Sequence, residues 1–185
     1  MTRTSFSLAI VLLFGVWGRH EGAARQADSP PSTVSAVDLD RYAGRWFEIA
    51  RFPNRFQRLC ASDVTATYTV RPGDRIEIVN RCRRDDGTIA EATGLARSVS
   101  PGSNARLEVR FAPAWLSFLP FVWGDYWVID LRDDYTAAVV GSPDRGYLWL
   151  LARTPAVSEP VYQRLVAAAG RAGYPVDRLE RTRHE

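Results

Sequence analysis

Between Trp46 and Ala152 the chain breaks into eight short runs in which apolar and polar residues alternate, and this spacing constrains the fold more than any other feature. The runs are Trp46–Phe52, Val64–Val70, Arg75–Asn80, Ile89–Val99, Arg106–Phe111, Tyr126–Leu131, Tyr135–Val140 and Tyr147–Ala152. Turn signals separate them, among them Pro72-Gly73-Asp74, Asp85-Asp86-Gly87 and Pro101-Gly102-Ser103-Asn104. Short alternating runs joined by tight turns predict an all-β sandwich or barrel, not βαβ units. Each connection can be a hairpin, so the simplest topology is an up-and-down meander. Eight antiparallel strands leave two unpaired edges unless the sheet closes. A barrel closed at eight has an interior that is filled by side chains or holds one small ligand. In the fourth run Ala90, Ala92, Gly94 and Ala96 share one face. They leave space if that face points inward; otherwise they lie outside or beneath a bulky neighbour.

One helix is predicted, from Ser158 to about Ala172, with Ser158 as its cap, Pro160 in its first turn and Gly173 at its end. Val157, Val161, Leu165, Ala168 and Ala172 form an apolar stripe that would pack on the outside of a barrel.

The ends read differently from the body. Arg3 followed by the apolar stretch Phe6–Trp17, too short to span a bilayer, fits an export signal cleaved somewhere between Gly22 and Ala27, with an uncleaved amphiphilic anchor as the alternative. Residues 1–27 are therefore expected to be a signal peptide or export segment, 28–36 a linker, and 37–185 the domain proper. No cysteine follows the apolar stretch, so a bacterial lipid-attachment site is not expected. The net charge of +3, carried entirely by arginine on the basic side, is too small to argue for nucleic acid. In an exported chain the two cysteines, Cys60 and Cys82, favour a disulfide, with two buried thiols as the alternative.

The segment Leu39-Asp40-Arg41-Tyr42-Ala43-Gly44-Arg45-Trp46-Phe47-Glu48-Ile49-Ala50 resembles the opening of a lipocalin, with Gly44 and Trp46 as the Gly-x-Trp signature at the first strand. Asp130–Tyr135 resembles the family's second block, and Tyr147–Pro155, with Arg153 ending the last strand, its third. The resemblance runs from about Val37 to Leu179 and is nearest to the bacterial lipocalins of the outer-membrane lipoprotein type related to apolipoprotein D. It implies an all-β fold: an eight-stranded antiparallel up-and-down barrel with one C-terminal helix outside. Gly44, Trp46, Tyr135 and Arg153 would be structural, Arg153 lying on the Trp46 indole to close the base. It also implies a carrier of a lipid or small hydrophobic molecule, exported to the periplasm or outer membrane, monomeric or homodimeric, with no cofactor.

With Trp46 and Arg153 at the closed end, the loops after strands one, three, five and seven belong to the mouth. Cys60 and Cys82 then lie near the rim, where a bond would tie the first loop to the third strand. The expected cup lining is Val64, Ala66, Tyr68, Ile76, Ile78, Asn80, Leu107, Val109, Phe111, Tyr147 and Trp149. The loop from Ala112 to Trp123 carries no charge, and Trp115, Leu116, Phe118, Leu119, Phe121 and Trp123 in it would form an apolar patch. Around the same rim Arg51, Arg55, Arg58, Arg81, Arg83 and Arg84, partly offset by Asp85 and Asp86, suit lipid headgroups, so the rim is expected to meet a membrane surface; alternatively the rim is merely solvated and the loop plugs the cup.

Catalysis is not expected. The histidines are His20, in the export segment, and His184, next to the last residue. The body thus offers no histidine base for a serine or cysteine nucleophile and no histidine metal ligands. Two alternatives remain: a lipocalin-type isomerase or de-epoxidase using a carboxylate such as Glu48, and a protein-interaction module using the apolar loop.

Overall fold

The computed structural model describes residues 29–73, 75–100, 102–112, 119 and 122–185. The export segment, the turn residues Asp74 and Pro101, and Trp115, Leu116, Phe118 and Phe121 lie outside the described residues.

The eight runs are strands β1 (Gly44–Arg51), β2 (Ser62–Arg71), β3 (Arg75–Arg83), β4 (Ile89–Ser98), β5 (Arg106–Arg110), β6 (Gly124–Leu131), β7 (Ala137–Gly141) and β8 (Leu148–Ala152). Consecutive strands pair antiparallel, and β1 pairs with both β8 and β2, which closes the barrel. Among the described residues four further elements appear: a one-turn helix α1 (Leu39–Tyr42) before β1, two 3-10 turns (Arg55–Gln57 and Val176–Arg178), and a short β9 (Glu180–Arg181) that pairs with β1. Asp38 caps α1 by accepting from the backbone N–H groups of Asp40 and Arg41.

Alternation sorts the side chains into two cores. The inner core holds Trp46, Tyr68, Ile76, Ile78, Ala96, Leu107, Tyr126, Val128, Val140 and Leu151. The outer one lies between the barrel wall and helix α2 (Glu159–Arg171), where Val139, Leu148 and Leu150 meet Tyr162, Leu165, Ala168 and Ala169. The helix stripe is thus rotated from the expected one. Tyr162 and Ala169 are buried, whereas Val161 and Ala172 are only partly so, because the Tyr162 ring lies inward beneath the Arg181 guanidinium, 3.7 Å away. Ser158 precedes the helix without a side-chain cap, and Pro160 in the first turn removes one of the N–H groups a cap would satisfy.

Strand β7 begins two residues later than expected. Tyr135 has φ +59°, and the Asp134 carboxylate accepts from the Thr136 N–H and hydroxyl, so this stretch is a turn. The segment expected as a linker lies against the barrel: Pro31 is buried, the Val34 N–H donates to the Val128 carbonyl, and Arg145 donates to the Ser29 carbonyl.

Candidate functional site

The closed end is built around Trp46, which is fully buried and donates from its indole N–H to the Tyr42 carbonyl. The Arg153 guanidinium lies 4.0 Å from the Trp46 ring centre and donates to the carbonyls of Arg41, Tyr42, Arg45 and Tyr135. Gly44 has φ +92°, and a Cβ there would lie 3.4 Å from Arg153 Nη1, so glycine both permits the backbone turn and leaves room for the guanidinium. The Tyr135 hydroxyl accepts from the Asp38 N–H, and its ring carries Arg41 at 4.0 Å. Above this base three buried tyrosines share hydrogen bonds, with the Tyr126 hydroxyl 2.8 Å from those of both Tyr42 and Tyr68. Burial pushes all three phenols above the ordinary tyrosine value, that of Tyr68 to about 12.

Above the tyrosines some inward-facing residues become exposed. The small-residue face of β4 is the inner one. Ala96 is packed in the inner core, and Gly94 pairs with the inward Ile78 beneath the Phe111 ring, which a Cβ would meet at 2.7 Å. Ala92 faces the same way and yet is exposed, as is Phe111 at 43%. Of the other residues expected to line it, Tyr68, Ile76, Ile78 and Leu107 are buried in the inner core, and Ala66, Val109 and Trp149 pack against it. Asn80 and Tyr147 are partly buried and Val64 is buried. Tyr147 is stacked on Trp149 at 5.8 Å and touches the exposed Phe56 at 5.7 Å, so an aromatic group stands at the mouth.

The rim is tied down at two points. Cys60 and Cys82 form a disulfide with their Cα atoms 5.5 Å apart, joining the first loop to β3. The chain's end crosses the seam where β1 and β2 part: the Thr182 N–H donates to the Ile49 carbonyl, the Asp63 N–H donates to the Arg183 carbonyl, and His184 Nε2 lies 2.7 Å from the Glu48 carbonyl oxygen. Beneath that seam Glu48 is buried. Its carboxylate accepts from the Thr182 hydroxyl at 2.6 Å and from Gln57 Nε2 at 2.5 Å, and the Gln57 oxygen accepts from Trp149 Nε1 and Asn54 Nδ2. Burial pushes the Glu48 carboxyl up, against the opposing pull of these bonds and of Arg51.

The described rim residues stand in several different settings. Trp123 lies between two guanidinium groups, Arg97 at 4.1 Å and Arg110 at 5.1 Å. Both come from strands whose outward residues they are, so Trp123 covers the outer wall. Leu119 is partly buried. Arg83 is engaged with Asp63 at 2.8 Å, Arg55 lies over Phe56, and Arg58 and Arg84 are exposed.

Residues 37–184 match the family model of the lipocalin-like domain. The chain is a lipocalin. It is 40% identical over 151 residues to temperature-induced lipocalin-1 of Arabidopsis thaliana, covering 80% of each chain. It is 39% identical over 160 residues to outer membrane lipoprotein Blc of Escherichia coli, covering 84% of this chain and 86% of the relative. To apolipoprotein D of Macaca fascicularis it is 31% identical, with 78% and 75% covered. Among solved structures, lobster apocrustacyanin A1 and the insecticyanin of Manduca sexta both superpose with TM-scores of 0.63 over 85% of this chain, covering 91% and 85% of those chains. At 16% and 17% identity they share its fold.

In this lipocalin the sequence reading missed the Glu48–Gln57–Thr182 network. One signal was present, since Glu48 stands two residues from Trp46 and therefore on the same inward face. Its partners are remote in sequence: Thr182 is 134 positions away and Gln57 lies in a loop.

Proposed function

We propose that this lipocalin binds, stores or transports a lipid or other small hydrophobic molecule, of the fatty acid, phospholipid or lysophospholipid kind, in the cup of its barrel, and that it does so without catalysis at or near the cell envelope. The observation that carries this reading is the upper inner wall, where Ala92 is inward-facing yet exposed, next along the inner face to Gly94 and the inward Ile78. A concave, mostly apolar site with a few polar groups at its mouth suits an acyl chain. Relatives named outer membrane lipoproteins support the envelope setting. The Glu48 carboxylate is held on both oxygens by the wall itself, which favours a structural part for it over acid–base work. Native mass spectrometry of the protein purified without detergent tests the reading. A co-purified lipid at one molecule per chain is expected; an empty chain that takes up no added lipid, or a stable empty dimer, contradicts it.

A further inference from the structure

A partly buried guanidinium, ion-paired at 3.7 Å with the buried Glu48 carboxylate, stands on the upper inner wall with a donor left over. Arg51 stands opposite Trp149 in the β1–β8 ladder, so it shares the inward face with Trp149 and Leu151. Its side chain is 15% exposed, and its Nε is fully buried with no acceptor. The neighbouring carboxylate oxygen, Glu48 Oε1, is 3.7 Å away, too far for a hydrogen bond, and it already accepts from Thr182. Glu48 cannot turn to Arg51 without releasing the bonds that hold the first loop and the chain's end to β1. A buried Nε with no acceptor is costly, and the planar guanidinium fork matches the paired oxygens of a carboxylate or phosphate.

We propose that Arg51 is the headgroup site of the cup, and that this site selects single-chain anionic amphiphiles. The head, a carboxylate or a phosphate monoester, accepts from Arg51 beside Trp149. The chain runs down past Ile78 and Val109 towards Leu107. This rests on the carrier reading above and adds the ligand's charge to it.

The test is a calorimetric titration of the whole protein with oleate and with oleyl alcohol, which share a chain and differ in the head, in mildly alkaline buffer. The native protein should bind oleate more tightly than the alcohol. Arg51→Gln should weaken oleate roughly ten- to hundredfold and leave the alcohol within about twofold, the range expected for charge-assisted hydrogen bonds. Oleyl phosphate, a phosphate monoester of the same alcohol, titrated in parallel tells a phosphate head from a carboxylate head, and the substitution must weaken whichever binds more tightly. Equal affinities for oleate and the alcohol in the native protein, or an equal loss of both in Arg51→Gln, overturn the headgroup assignment and leave the carrier reading standing. Failure of all three ligands to bind the native protein overturns both. If Arg51→Gln does not fold, Arg51→Lys is used: it keeps the charge and loses the fork, so a several-fold loss for oleate alone is expected, and an unchanged oleate affinity overturns the proposal.

Discussion

Arg153 closes the barrel base by two means at once, a face contact on Trp46 and hydrogen bonds to four backbone carbonyls. The cation–π contact contributes about 0.5–2 kcal/mol. The fork geometry that spans several carbonyls belongs to arginine and not to lysine. Arg153→Lys should therefore lower stability by about 2–4 kcal/mol despite conserving charge, as measured by denaturant unfolding. Ligand affinity should be unchanged in the folded fraction, because the cup opens at the other end. The three buried tyrosines give a second prediction. Their pKa values are raised by folding, so the stability they confer is present below the ordinary tyrosine value of 10.0 and is lost as pH rises towards about 12, the value for Tyr68. Tyrosinate absorbance from these phenols should appear in one cooperative step together with unfolding. Smooth titration of every tyrosine near 10.0 with the fold intact would contradict the buried cluster.

Among the elements, the chain's end does what β2 does lower down. The β1–β2 ladder runs from Gly44↔Tyr68 to Phe47↔Thr65 and then stops. Beyond that point β9 pairs with Ala50 and Arg51, and Thr182, Arg183 and Glu185 bond to both sides of the gap. Removing residues 182–185 should leave the lower barrel intact and speed amide exchange at Asp63 and in the first loop, since the Arg183 carbonyl and the Thr182 hydroxyl are lost. Unchanged exchange at Asp63 would show that the segment does not hold the seam. Nothing in the local sequence announces this, because a two-residue strand has no periodicity to read. Helix α2 shows the opposite case. Its limits and its outward position were legible from the 3.6-residue pattern and Gly173, while the rotation of its stripe depends on Tyr162, whose ring is drawn inward under Arg181.

For the whole molecule, the barrel, its direction and its disulfide could be read from eight alternating runs, from Trp46 and Arg153, and from two cysteines. Alternation fixes which side chains share a face, and the closed base then fixes which loops surround the mouth. The inner polar group at the rim was not legible. Glu48, Gln57, Trp149 and Thr182 come from β1, the first loop, the neighbouring strand β8 and the C-terminal segment, and they meet only because the sheet closes on itself. The orientation of the β4 small-residue face also needed the structure, since Ala90, Ala92, Gly94 and Ala96 fit either side of a sheet. That face now provides the most direct test of the cup. Ala92→Trp places an indole in the open space without touching the base, the disulfide or the seam. Titrated with oleyl alcohol, which needs only the apolar wall, the native protein should bind one molecule per chain. The variant, folded by circular dichroism, should lose at least about tenfold in affinity. Binding of the alcohol to Ala92→Trp with undiminished affinity would mean that the ligand sits elsewhere, and that the barrel interior is not the site.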